Sequence, residues 1–128
     1  MELSYEQIRG ASERIRPYIY DSPCPPSAPL SAVAGCEVYC KLEYLQRTGS
    51  FKERGARNAL MTLDSEHRQR GVIAASAGNH ALGLAYHASQ LEVPVTVVMP
   101  RFAPLTKVTN CRAFGANVVL HGDTFDAA

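Results

Sequence analysis

The sequence predicts an α/β fold in which a parallel sheet carries helices on both of its faces. Two observations lead there. Three short, continuous apolar runs recur in the second half of the chain, Val72 to Ala75, Val95 to Met99 and Val118 to Leu120, each the length of a buried strand. Stretches of helical period, 81–91 and 105–114, separate them, and this alternation argues for parallel strands joined by right-handed crossovers.

The elements can be justified in order. Ser4 and Gln7 have the spacing of a capping box, Leu3 and Ile8 that of a hydrophobic staple, and Ile8, Ala11 and Ile15 recur on one face, so a helix is expected over 5–16. Pro17 ends it. Prolines 23, 25, 26 and 29 make residues 21–29 an extended connection, because each removes a donor and restricts the residue before it. A short strand is expected over 37–42. Ser50 and Glu53 form a second capping box, placing Lys52 at the second position of a helix that Ala56, Ala59, Leu60 and Leu63 carry to Asp64. The polar run 65–71 reads as that helix's solvated end and a loop, with His67 exposed. Gly115 closes the last full helix, and Gly122 to Thr124 signals a further one for which only residues 125–128 remain. The chain is therefore expected to be the front part of a longer protein or a shortened product.

Composition excludes several classes of function. A hydrophobic fraction of 46% with 20% charged residues is that of a soluble globular protein, and a net charge of +1 gives no general nucleic-acid or anionic-membrane surface. Neither a secretory leader nor an apolar run of membrane-spanning length is present, so a cytoplasmic location is expected. Cys24, Cys36, Cys40 and Cys111 show no metal or redox spacing, and Cys36 and Cys40 would lie about 13 Å apart on a strand, too far to bridge. They are read as reduced and mostly buried. His80, His87 and His121 lack companions at metal-site spacing, so no metal is expected.

Two stretches carry chemistry. Lys52 in a helix's first turn meets the positive end of the dipole, with Arg54 and Arg57 nearby. If buried there, it would be pushed toward the neutral, nucleophilic amine, although alone it reads equally as a surface lysine. Residues 76–80, Ser-Ala-Gly-Asn-His, fall between a strand's carboxyl end and a helix start, where free N–H groups favour a carboxylate or phosphate. Alone, this is also a tight turn with a serine cap. No phosphate-binding loop of the nucleotide hydrolases, GxGxxG fingerprint or GxSxG elbow occurs.

Taken together, the run from Lys41 to Ala56, ending Thr48-Gly49-Ser50-Phe51-Lys52-Glu53-Arg54-Gly55-Ala56, and the later Ala75-Ser76-Ala77-Gly78-Asn79-His80-Ala81 strongly resemble the pyridoxal-phosphate-dependent threonine/serine dehydratases. Val98-Met99-Pro100, Ala103-Pro104, Lys107-Val108 and the stretch from Gly115 to Gly122 add to the likeness. The resemblance implies an incomplete two-domain architecture of fold type II, with 1–66 in the large cofactor-binding domain and 67–128 in a truncated small α/β domain. It implies that Lys52 is the catalytic Schiff-base lysine, that Phe51 packs on the pyridine ring, and that Asn79 bonds the ring hydroxyl. Ser76, Ala77, Gly78, Asn79 and His80 would grip the carboxylate of a small amino-acid substrate. The implied reaction turns L-threonine or L-serine into a 2-keto acid and ammonia, in a protein that forms a homo-oligomer at full length. Phe51, Glu53 and His80 separate the chain from cysteine synthases, and Ala77 replaces the serine that serves racemases as an acid/base. Leu82 departs from the family's common glutamine. The family's glycine-rich phosphate loop and its pyridine-nitrogen partner have no counterpart in these 128 residues, which leaves open a non-catalytic binding or interaction module.

Overall fold

The computed structural model describes residues 3–124 together with 127 and 128. Helix α1 (Tyr5–Ile15) opens with the expected capping box: Ser4 Oγ accepts from the Gln7 amide at 3.3 Å, and Gln7 Oε1 accepts from the Ser4 amide at 2.9 Å. Pro17 converts the helix into a 3-10 turn, Arg16–Tyr18, rather than stopping it outright. Helix α2 (Ala28–Ala34) lies partly within the segment expected to be extended, because Pro29 falls in its first turn, where the missing N–H has no partner to lose.

The strand expected over 37–42 does not form. Tyr39 makes a single antiparallel bridge with Pro26, flanked by bonds from Ser27 N to Val38 O, Cys40 N to Pro25 O and Leu42 N to Pro23 O. The facing segment is rich in proline, which offers carbonyls and few donors, so a regular ladder cannot alternate. A 3-10 turn at Glu43–Leu45 leads to helix α3 (Lys52–Met61). The polar run expected to be loop instead forms helix α4 (Ser65–Arg70), capped by Asp64, whose carboxylate accepts from the His67 amide at 2.8 Å.

Strands β1 (Val72–Ala75), β2 (Val95–Met99) and β3 (Asn117–Leu120) form a parallel sheet in the order β1-β2-β3, connected through α5 (Asn79–Gln90) and α6 (Leu105–Ala113). The α/β class is that expected. The register aligns Val72 with Val95, and Ala74 with Val97 and Val118, on one face. There they pack with Ala81, Leu84, Ala85 and Ala88 of α5, Val108 and Cys111 of α6, and Ala56 and Leu60 of α3. Burial is more one-sided than continuous apolar runs suggest: Ile73, on the opposite face, is 72% exposed. Gly71 must be glycine, since its φ is +83° and a Cβ would stand 2.3 Å from the Pro94 carbonyl oxygen.

Of the cysteines only Cys111 is buried, and burial pushes its thiol up; Cys24 and Cys36 are exposed, contrary to expectation. Both exposed cysteines lie in the stretch before β1, where little core is available. No described helix is long and apolar enough to cross a membrane. The helix start expected at Gly122 to Thr124 leads into residues 125 and 126, which lie outside the described residues.

Candidate active site

Two helix starts meet at one cleft. The first is that of α3, where Phe51 is the cap residue and Lys52 takes the first helical position, one earlier than expected. Ser50 Oγ accepts from the Lys52 amide at 3.3 Å, but the capping box does not close. Glu53 turns inward instead, where it is 1% exposed and accepts a hydrogen bond from the Thr48 amide. Lys52 is exposed, its Nζ 5.2 Å from the Phe51 ring centroid. Of the two readings the sequence left open, a buried lysine and a surface one, the exposed position is that of the second. Arg54 forms a two-point pair with Glu43, and the Arg57 guanidinium lies 3.8 Å over the Tyr18 ring.

The second helix start is that of α5. The Ser76 amide bonds the Val98 carbonyl at 3.0 Å, which ties the loop to β2, and Ser76 Oγ accepts from the amides of Gly78 at 3.4 Å and Ala81 at 3.3 Å. The amides of Asn79 and His80 belong to the first turn, where no intrahelical acceptor exists, so this end favours an anion. Asn79 Oδ1 accepts from Lys107 Nζ at 2.8 Å, leaving the side-chain NH2 as its donor. Lys107, on α6, is a cation at this helix start that sequence reasoning did not assign; the spacing after Pro104 puts it in the first turn of α6, but nothing local says which helix it faces.

A cleft of about 300 Å³ joins the two starts, lined by Phe51, Lys52, Gly55, Ala56 and His80. It brings Phe51, Lys52 and His80 together, whereas Ser76, Ala77, Gly78 and Asn79 stand in the adjoining loop and first turn, outside its lining. The close crossing of α3 and α5 sets this proximity: a Cβ on Gly83 would meet the main chain of Lys52 and Glu53 at 3.2 to 3.4 Å. A primary amine beside an aromatic ring suits a planar aldehyde, and the N–H donors of the adjoining helix start suit a small anion such as a carboxylate.

The family described as pyridoxal-phosphate dependent enzyme matches residues 15–128. The chain belongs to this family. Pyridoxal phosphate is the cofactor of its members, and the fold is that of their fold type II. The L-threonine ammonia-lyase of Thermotoga maritima is 48% identical over 126 residues, covering 98% of this chain and 31% of its own length. An L-threo-3-hydroxyaspartate ammonia-lyase of a Pseudomonas species is 47% identical, covering 94% of this chain and 38% of its own. The crystal structure of serine racemase from Dictyostelium discoideum superposes with a TM-score of 0.90 at 38% identity, covering 98% of this chain and 41% of that one. The chain thus spans about a third of the length of the curated relatives it matches.

Proposed function

We propose that this chain is the amino-terminal part of an ammonia-lyase that converts L-threonine or L-serine into a 2-keto acid and ammonia, with Lys52 as its catalytic lysine. The carrying observation is the position of the Lys52 side chain at the cleft that Phe51 and His80 also line, beside the amide-rich start of α5. Lys52 would hold the aldehyde carbon of pyridoxal phosphate through Nζ, Phe51 would lie against the ring, and the Asn79 NH2 would donate to the ring hydroxyl. When bound, the cofactor supplies an electron sink for charge left on the substrate's α carbon.

The remaining work falls to the chain. The first-turn amides of α5, with Ser76 and His80, would orient the substrate carboxylate, and the amine of Lys52, once free, would accept the α proton. Ala77 offers no group to return a proton from the other face, which favours elimination of the β-hydroxyl over racemisation even though serine racemases share the fold. That residue supports the lyase reading against the racemase one.

The test is to add pyridoxal phosphate and then L-threonine to the purified chain. A visible Schiff-base band that vanishes in Lys52→Ala, with keto acid released, is the expected result. No band, or one that survives that substitution, would sink the catalytic reading. A Lys52-dependent band without keto acid would favour a second reading, in which the chain is a binding module that keeps the cofactor lysine and lacks the rest of the machinery.

A further inference from the structure

Glu53 follows Lys52 directly, yet its carboxylate leaves the surface and is 1% exposed. A buried carboxylate is costly unless paired, and an apolar side chain would fill the same space without that cost. Its partners explain its placement. One oxygen accepts from the Thr48 amide, in the turn that delivers the chain to α3. The other lies 3.3 Å from Nε2 of His87, itself 1% exposed.

His87 also borders a separate cavity, with Tyr18, Arg57 and Tyr86. Neither ring nitrogen makes a hydrogen bond of full geometry, but Nε2 stands within donor reach of the Glu53 carboxylate at 3.3 Å. Burial drives the ring toward its neutral form, opposed by the Glu53 carboxylate and reinforced by Arg57. Neutral imidazole keeps one N–H, and in the tautomer that carries it on Nε2 the proton sits on the nitrogen 3.3 Å from the Glu53 carboxylate. The edge of Tyr86, with ring centroids 4.9 Å apart, helps to fix the ring.

The helix geometry connects this pair to the cleft. His80, Gly83 and His87 follow one another on a single face of α5 at spacings of three and four. His80 lines the Lys52 cleft, Gly83 allows close approach to the Lys52 and Glu53 main chain, and His87 meets the Glu53 carboxylate. The same helix face therefore bounds the cleft and meets the carboxylate that accepts from the Thr48 amide.

We propose that His87 is a positioning residue for Lys52, acting through Glu53: the buried imidazole fixes the carboxylate, and the carboxylate holds the Thr48 to Ser50 turn that aims Lys52 at the cleft. The role in aiming a catalytic lysine rests on the function proposed above; the tether of the turn stands on geometry alone.

The test uses the full chain with His87→Leu, His87→Asn and His87→Gln. Glutamine places its amide nitrogen close to Nε2, whereas asparagine falls short of Glu53 and leucine offers no donor. Exchange of the Thr48 amide, compared with Val97 in β2, reads the tether, and borohydride trapping of pyridoxal phosphate on Lys52 reads the aim. Leucine and asparagine are each expected to speed Thr48 exchange roughly tenfold more than Val97 exchange and to slow trapping by a similar factor, while glutamine restores both. If His87→Leu does not fold, His87→Asn decides. Unchanged Thr48 protection, equal loosening of Val97, or failure of glutamine to restore would overturn the proposal. Absence of trapping in the unaltered chain would sink the cofactor reading instead, and the exchange measurement would then decide the tether alone.

Discussion

Gly83 of α5 lies so close to Glu53 of α3 that a Cβ there would stand 3.2 Å from the Glu53 amide nitrogen. The obstructing atoms are the main chain of a helix's first turn, which cannot rotate aside as a side chain can. Alanine gains about 1 kcal/mol of helix propensity over glycine. Overpacking of about 1–3 kcal/mol opposes that gain. Gly83→Ala is therefore expected to lose on the order of 1 kcal/mol in urea unfolding, and Gly83→Val distinctly more. An alanine variant more stable than the parent would show that α3 can step back freely.

A second prediction concerns acid stability. Glu43 accepts from Arg54 Nε at 2.8 Å and Nη2 at 2.7 Å and from the Ser22 hydroxyl at 2.6 Å. The Arg54 hydrogen bonds, helped by Ser22 and opposed by burial, hold its carboxyl at about 2, below the ordinary 4.5. A depressed carboxyl stabilises the fold fully above its unfolded value and loses that contribution as pH falls toward the folded one. The loss should therefore occupy the window from about pH 5 down to about pH 2. Its size should be about 1 kcal/mol, because Arg54 is partly exposed and solvent screens the pair. Urea midpoints should fall through that window in the parent. In Glu43→Gln they should start lower at neutral pH and decline less steeply; a parallel decline would remove Glu43 as the cause.

How far the sequence shows these features depends on the range of the forces involved. The strands beginning at Val72 and Val95 are legible because their apolar runs are continuous and bounded by turn residues. The stretches around Lys52 and Asn79 are legible because the chemistry sits in consecutive residues. The expected strand over 37–42 fails because its ladder depends on a distant segment whose prolines lack donors. The Ser50 and Glu53 capping box fails for a related reason: Glu53 finds Thr48 and His87, and the interior contact outcompetes the local one. Nothing local reveals that His87, a helix-face histidine by spacing, would be fully enclosed, because that depends on the approach Gly83 permits.

The cap of α5 gives a third prediction. Ser76 Oγ accepts from the amides of Gly78 and Ala81, and Ala81 is itself fully buried. Ser76→Ala would leave both donors without that oxygen, at a cost of about 1 kcal/mol. Amide exchange should quicken at Ala81 while residues of β1 stay protected, because the backbone bond from Ser76 to Val98 is kept. Loosening spread evenly over β1 and α5 would mean that the hydroxyl supports the sheet rather than the helix start.

Asn79 offers a substitution whose two effects should have opposite signs. Its Oδ1 already accepts from Lys107 Nζ, and it occupies the first position of α5. Asn79→Asp would place a negative charge where the helix dipole favours it and beside a cation. Both effects are modest at an exposed site, so stability should rise by about 0.5 kcal/mol. The same change removes the side-chain NH2 and sets a carboxylate where a ring hydroxyl of the cofactor is proposed to sit. Affinity for pyridoxal phosphate, read by titrating the Schiff-base band, should weaken roughly tenfold, the cost of one lost hydrogen bond plus repulsion. A variant that is more stable and binds the cofactor equally well would place the ring away from Asn79, and would leave its side chain with the purely structural task of holding Lys107.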